Sequence, residues 1–242
     1  MPIMTVLGPV SPDRLGITLP HEHLFLSLFR ITRIRDQRLN DEPLIIEEVR
    51  RFKEAGGGTI VELSNHGLEP DPAALRRVAQ ATGVNIVMGC GWYREPYYDR
   101  EYIARRTTAD LAADFVREIE EGEPTVGVRP GIIGEIGADL DFVAPPEEKV
   151  HRAAARAHLK TGLTITTHSL ESPVGLQQLD LFEEEGVDLR RVIVGHAATW
   201  PFPDYHEAIA RRGAYVQFDT VRGLRPYDTD QQLRLTLEFI RR

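Results

Sequence analysis

Two histidines near the amino terminus are spaced so that they could bind one cation. His21 and His23 closely follow the apolar run Gly16–Leu19 and are separated by a single residue. Because side chains alternate faces along extended backbone, residues two apart point the same way. The pair could therefore serve one metal ion. In a chain with eight histidines, two of them can also have this spacing by chance. The pair alone is therefore compatible both with metal binding and with a packed or surface role.

Three further polar residues lie at or near the carboxyl ends of other apolar runs. His168 and His196 each directly follow such a run, and Glu135 lies within one, among apolar and small residues. A carboxylate on a buried strand is costly unless it is paired or coordinates a metal. Together with His21 and His23 they form five candidate ligands. Imidazole and carboxylate groups suit zinc, manganese, iron, cobalt or nickel, with zinc the commonest.

Seven apolar runs alternate with helical patterns along the chain, as β–α units do. Nearly continuous apolar runs are typical of parallel strands that are covered on both faces. The predicted strands are Gly16–Leu19, Thr59–Leu63, Asn85–Gly89, Gly131–Ile136, Leu163–Thr167, Arg191–Gly195 and Ala214–Phe218. The predicted helices are Leu44–Ala55, Pro72–Thr82, Thr108–Glu121, Pro146–Thr161, Val174–Glu185, Pro203–Arg212 and Asp230–Arg242.

These units predict an α/β fold, a (β/α)8 TIM barrel that forms one domain over residues 1–242. No linker or shift in composition divides the chain. Barrel enzymes place their sites at the carboxyl ends of the strands, so we expect the five candidate ligands to meet at that mouth. Seven units precede Arg242, and an eighth strand and helix are expected to follow it.

Composition excludes several classes of partner. A net charge of −8 argues against nucleic acid, and the arginine-rich stretch Arg30–Arg38 is predicted to be a solvated surface. No run of 18 apolar residues predicts a membrane span. The single cysteine, Cys90, forms no internal disulfide, which agrees with a cytoplasmic location. We expect a small-molecule substrate, and a homodimer is left open.

Five segments together resemble motifs of the phosphotriesterase family, within the amidohydrolase superfamily. GITLPHEH at residues 16–23 resembles the opening signature of the family, and GIIGEIG at residues 131–137 resembles its fourth-strand motif. TTH at residues 166–168, VGH at 194–196 and GAYVQFD at 213–219 follow in the order of the family. The resemblance covers nearly the whole chain.

The resemblance implies a centre of two divalent metal ions. His21 and His23 would hold the more buried ion, and His168 and His196 the more exposed one. In the best-known members a carbamylated lysine bridges the ions, whereas Glu135 stands at that position here. This is similar to the phosphotriesterase-related branch, in which a glutamate bridges directly, and it makes Glu135 the central catalytic residue as well as a ligand.

The resemblance also implies an aspartate at the end of an eighth strand, which would take the proton from the nucleophilic water. That position would lie beyond Arg242. Asp219, at the end of the seventh predicted strand, matches a different family position near the wall of the pocket, so we expect it to contact substrate.

The loops after the strands are expected to select the substrate. Arg222, after the seventh strand, could orient a polar end of the substrate. Four aromatic residues follow the third strand and could form an apolar wall or could pack the loop onto the barrel: Trp92, Tyr93, Tyr97 and Tyr98. We expect Trp92 and Tyr93 to contact substrate.

The other histidines are not expected to bind metal. His151, His158 and His206 fall within helical patterns, where a solvated or core-edge role is favoured. His66 follows the second strand and could either line the pocket or form a turn.

Lactone or carboxylic-ester hydrolysis is the favoured chemistry, with phosphotriester hydrolysis as a promiscuous activity. Amide or cyclic-amide hydrolysis by the same metal centre is the first alternative. The second is a barrel that has lost catalysis and serves as a binding protein. Five retained ligands weigh against that last alternative, because buried polar groups without a metal are costly.

Overall fold

The structure is a computed structural model that describes residues 2–219 and 226–241. Its strands are β1 (Ile3–Thr5), β2 (Gly8–Val10), β3 (Ile17–Glu22), β4 (Leu26–Ser27), β5 (Arg38–Leu39), β6 (Gly57–Glu62), β7 (Asn85–Cys90), β8 (Ile132–Gly137), β9 (Ile165–His168), β10 (Val192–Gly195) and β11 (Tyr215–Val216). Its α-helices are α1 (Phe29–Thr32), α2 (Glu42–Glu54), α3 (Pro72–Thr82), α4 (Arg100–Arg105), α5 (Thr108–Glu121), α6 (Pro145–Thr161), α7 (Gly175–Glu184), α8 (Pro203–Arg211) and α9 (Pro226–Arg241).

One parallel sheet carries the seven predicted strands in the order β3-β6-β7-β8-β9-β10-β11. The predicted α/β class and its seven β–α units are confirmed. The predicted eighth unit of a closed barrel would follow Arg242 and stays a prediction. Two short antiparallel pairs, β1 with β2 and β4 with β5, lie beside the main sheet.

The sheet is curled, so that its two edge strands approach each other. Strands lie about 4.8 Å apart, and the first and seventh strands of a flat sheet would be separated by roughly 29 Å. Instead, Nδ1 of His21 in β3 lies 3.2 Å from Oδ2 of Asp219, which closely follows β11. The carboxyl ends of β3 and β11 therefore meet.

The helices begin and end where the sequence supplies caps. Asp71 accepts a hydrogen bond from the backbone of Ala74 at the start of α3, and Gly83 ends the helix in the left-handed region. Thr107 and Asp110 form a reciprocal capping box at the start of α5. Both helices have the predicted bounds, because capping signals are local and do not depend on the rest of the fold.

The start of β6 differs from the predicted strand Thr59–Leu63. The strand already begins at Gly57. A Cβ atom at Gly58 would lie 2.3 Å from the carbonyl oxygen of Leu15. Glycine is needed here because β6 passes close to the segment that leads into β3.

The prediction missed six short elements, namely β1, β2, β4, β5, α1 and α4. Each has six residues or fewer and lies outside the apolar runs of the sequence. β1 and β2 also depend on a long-range contact, since the amide of Val6 between them donates to the carbonyl of Ile86 in β7.

The two largest buried clusters among the described residues support the sheet. The larger cluster packs α5, α6 and α7 on the central strands, and Phe115 and Phe182 are its largest fully buried side chains. The smaller cluster packs α2 and α3 on β6 and β7. Within residues 2–219 and 226–241, no helix has the length and apolar character needed to cross a bilayer.

Candidate metal centre

Glu135 lies at the centre of a cluster of imidazoles at the carboxyl ends of the strands. Its Oε2 lies 3.1 Å from Nε2 of His21, 2.9 Å from Nδ1 of His168 and 3.5 Å from Nε2 of His196. Its Oε1 lies 3.3 Å from Nε2 of His23. The structure thus brings together all five residues that the sequence proposes as ligands.

The edge strand β3 and the three neighbouring strands β8, β9 and β10 place these side chains. His21 belongs to β3, Glu135 to β8 and His168 to β9, and His196 directly follows β10. Gly134 has a φ of +127°, and a Cβ atom there would lie 2.3 Å from the carbonyl oxygen of Thr166. This glycine therefore lets β8 lie close against β9, next to the residue that carries the carboxylate.

Glu135 is fully buried and still ionised. Burial raises its pKa, but the imidazoles of His168 and His21, together with hydrogen bonds from His168 and His196, bring the pKa well below its usual range. Burial lowers the pKa of His168 to about 4, against the attraction of Glu135. His168 is therefore neutral at pH 7, the form in which imidazole binds metals.

Asp219 is the sixth polar group of the cluster. Its carboxylate accepts hydrogen bonds from Nδ1 of His196 at 2.9 Å and from the backbone amide of His196 at 3.1 Å. Burial opposes the ionised form, but hydrogen bonds from His196 and His21 bring the pKa of Asp219 below its usual value. Sequence reasoning placed Asp219 in the pocket wall and missed these contacts with two candidate ligands.

The cluster fits divalent metal ions. Ligand atoms within 4.8 Å of one another form three groups: His21, His23 and Glu135; His21, His196 and Asp219; and Glu135, His168 and His196. Nε2 of His21 and Oε1 of Glu135 are buried and have no aligned hydrogen-bond partner among the described residues. A cation would satisfy both atoms, and imidazole and carboxylate ligands suit zinc and its neighbours.

Tyr93 is the predicted substrate contact that lies against the cluster. Its hydroxyl group is 3.2 Å from Nε2 of His168, and the two rings meet edge to face at 4.8 Å. Tyr97 supports it, with ring centroids 5.3 Å apart. Burial raises the pKa of Tyr93, so the hydroxyl group keeps its proton.

Trp92 packs its loop against the neighbouring helices, as the packing alternative expects, and its contact with substrate stays a prediction. Its ring packs edge to face against Phe115 of α5 at 5.1 Å and lies 5.9 Å from the ring of Tyr102 in α4. Adjacent residues in extended backbone face opposite sides, which explains why only one of the pair reaches the cluster. Arg222, also predicted to contact substrate, lies outside the described residues.

The remaining histidines lie outside the cluster. Three are buried within α6 and α8 and bond to backbone carbonyl oxygens: His151 to Glu147 at 2.8 Å, His158 to Leu163 at 2.6 Å and His206 to Ala197 at 2.9 Å. They belong to the core rather than to its solvated edge. His66 pairs with Glu118 at 3.2 Å and helps to line a separate cavity of about 490 Å³.

Sequence reasoning also missed Ser64 and Glu62. Oγ of Ser64 lies 3.0 Å from Nδ1 of His23. Glu62, the last residue of β6, is fully buried, and burial raises its pKa to about 7 against the opposing effects of His23 and of hydrogen bonds. A glutamate within an apolar run was the available signal, the same one that identified Glu135.

Comparison with known proteins agrees with this geometry. The model of the phosphotriesterase family matches residues 1–239, and the chain belongs to that family. The phosphotriesterase homology protein of Escherichia coli is 37% identical over 232 residues, which cover 96% of this chain and 79% of that protein. The expected membership in this family is confirmed.

Two further relatives indicate what chemistry the family performs. The structure of a lactonase from Listeria monocytogenes matches with a TM-score of 0.95 and 25% identity, covering 100% of this chain and 79% of that one. N-acetyltaurine hydrolase of Xenopus tropicalis is 28% identical over 249 residues, covering 90% of this chain and 71% of that protein. The relatives thus include a lactonase and an N-acetyltaurine hydrolase, which are hydrolases of different bonds.

Proposed function

We propose that this protein hydrolyses lactones or carboxylic esters at a centre of two divalent ions that Glu135 bridges. Zinc is the metal that we expect. The observation that carries the proposal is that both oxygens of one buried carboxylate face candidate ligands. Oε1 faces His23 at 3.3 Å, whereas Oε2 faces His21 at 3.1 Å and His168 at 2.9 Å. A single buried carboxylate in this position can serve two ions without carbamylation.

Two ions held here would supply a water molecule that ionises near neutral pH and would polarise the oxygen of the scissile group. Other residues of the chain would orient the ligands and the substrate around the ions. Asp219 holds Nδ1 of His196, so that Nε2 faces Glu135. Tyr93 presents a protonated hydroxyl group beside His168, where it could orient a substrate carbonyl. Substrate contacts by Trp92, Asp219 and Arg222 remain predictions.

Substrate profiling with measured metal content tests the proposal. The zinc-loaded protein would be assayed on γ- and δ-lactones, aryl esters, phosphotriesters and N-acyl compounds, with zinc measured on the same sample. We expect about two zinc ions per chain and the highest kcat/KM on a lactone or ester, with slower turnover of phosphotriesters. A protein that binds no metal after reconstitution, or that binds it and hydrolyses none of these esters, contradicts the proposal.

Amide hydrolysis is a second candidate, favoured by the similarity to N-acetyltaurine hydrolase. The same ligand set could activate water for attack on an amide carbonyl. Including N-acetyltaurine and a cyclic amide in the assay distinguishes the two candidates. A kcat/KM on an amide above that on every ester would make the protein an amidase.

A further inference from the structure

A line of buried polar groups extends from His23 away from the metal cluster. Nδ1 of His23 lies 3.0 Å from Oγ of Ser64. Ser64 in turn adjoins the carboxyl group of Glu62, and its hydroxyl and amide groups both lower the pKa of that carboxyl group against the effect of burial. Ser64 is 1% exposed and Glu62 is 0% exposed, so bulk water does not reach the space between them.

The direction of each hydrogen bond follows from the tautomer that His23 needs in order to bind a metal ion. Nε2 of His23 faces Glu135 at 3.3 Å and must offer its lone pair if it is to bind a cation there. Nδ1 then carries the proton and donates it to Oγ of Ser64. Having accepted this bond, the hydroxyl group of Ser64 can donate its own hydrogen to Glu62.

Glu62 also holds the chain just after His23. The backbone amide of Leu24 donates to Oε1 of Glu62 at 3.2 Å, and Glu62 lies beside Glu22 in the pairing of β3 with β6. The carboxylate therefore contacts both the backbone that carries the ligand and the hydroxyl group that orients its ring.

Packing alone does not explain a carboxylate at this position. Burying an ionised carboxylate is costly unless it is paired, and Oε2 of Glu62 has no aligned partner within the described part of the chain. An imidazole that carries a bound cation would supply the missing compensation. Outer partners of this kind fix the tautomer and orientation of metal-binding histidines.

We propose that Glu62 is a positioning residue that acts through Ser64 to fix the tautomer and orientation of His23, so that Nε2 is presented to a metal ion shared with His21 and Glu135. The inference rests on the metal centre of the proposed function. It assigns a role to two residues that contact neither the ions nor the substrate.

The test measures metal affinity and ligand geometry in single variants. Zinc competition with a chelator gives the affinity of each ion, and cobalt substitution gives a visible spectrum that reports the coordination geometry. We expect Ser64→Ala and Glu62→Gln to weaken one of the two ions by about 10- to 100-fold and to change the cobalt spectrum, while the other ion is retained. Ser64→Thr, which keeps a hydroxyl group, should restore the affinity.

Ser172→Ala is the matched control, because Ser172 is also buried and its hydroxyl group bonds to the carbonyl oxygen of Leu140 at 3.5 Å. We expect it to leave both ions unchanged. If folded Ser64→Ala binds zinc as the control does, the inference is overturned, even when Glu62→Gln fails to fold. A parent protein that binds no metal would instead overturn the proposed function, so the two failures are distinguishable.

Discussion

Glu135 keeps its charge inside the protein because imidazoles surround it. The carboxylate is fully buried, yet four histidine rings lie within 3.5 Å of its oxygens. The same contacts that hold its pKa down offer a divalent ion a preformed set of ligands. Charge compensation and metal binding thus depend on one arrangement of atoms.

Replacing Glu135 by glutamine should abolish activity and reduce metal content. The amide has nearly the same shape but carries no charge to bridge two cations. We expect hydrolysis to fall by about 10³-fold, the upper end of the range seen when one electrostatic group of a site is removed. Metal analysis and kcat/KM on the best substrate measure the two effects.

Glu118→Gln serves as the control for that substitution. Glu118 of α5 pairs with the half-exposed ring of His66, away from the metal cluster, so both zinc content and turnover should stay unchanged. Normal zinc content and turnover in Glu135→Gln would rule out the bridging role.

His151 should make the stability of the metal-free protein depend on pH. Burial lowers the pKa of His151 to about 4, whereas the unfolded chain has its ordinary value near 6.5. The unfolded state therefore binds more protons between these values, and stability falls as the pH is lowered through this window. The loss from pH 7 to pH 4 amounts to about 3 kcal/mol for this group.

Urea unfolding of the parent protein and of His151→Leu, both in excess chelator, measures this effect. His168 titrates in the same range and contributes equally to both proteins, so it cancels in the comparison. We expect the variant to lose about 3 kcal/mol less than the parent between pH 7 and pH 4. Equal losses in the two proteins would show that His151 does not remain neutral in the folded state.

The sequence predicts the residues of the cluster that follow from local pattern. His168 and His196 were found because an apolar run ends immediately before each of them. The contact of Asp219 with His21 was not predicted, because it joins opposite edges of the sheet and depends on the degree of curling. Pairings between distant strand ends leave no trace in a local pattern of hydrophobicity.

At the scale of elements, Glu147 ties three segments of the rim together. Its carboxylate accepts from the backbone amides of Glu95, Asp139 and Ala144 at 2.9–3.1 Å. These amides lie after β7, after β8 and at the start of α6. One buried side chain of α6 therefore fixes the loop that carries Tyr93 against the loop that follows β8.

Glu147→Ala should destabilise the protein by about 3 kcal/mol or more. Each buried donor that loses its partner costs about 1–3 kcal/mol, and three amides lose theirs. Glu148→Ala is the matched control, since its side chain is half-exposed and pairs with Arg152, a contact worth about 0.5 kcal/mol. Urea unfolding at pH 7 compares them. A similar small loss in both variants would show that the amides find other partners.

The whole molecule was predictable as a repeating β–α chain, but its curvature was not. Periodicity and caps identify the parallel strands and most helix bounds, since both signals act over a few residues. Curvature depends on the twist between all neighbouring strands and on close approaches such as that of Gly58 to Leu15. The sequence therefore predicts that the candidate ligands share one rim, and the fold determines which of them touch.

Metal binding should stabilise the two edges of the sheet more than its centre. His21 of β3 and Asp219 after β11 meet in the cluster, so ions held there would join the first and last strands. Zinc at about 1,000 times its dissociation constant should add about 4 kcal/mol to the free energy of unfolding. Hydrogen exchange with and without chelator locates that gain. We expect amides of β3 and β11 to gain the most protection and amides of α5 to gain little beyond the global stabilisation. Protection that rises equally in all strands, or only around β7 and α5, would show that the ions do not link the edges of the sheet.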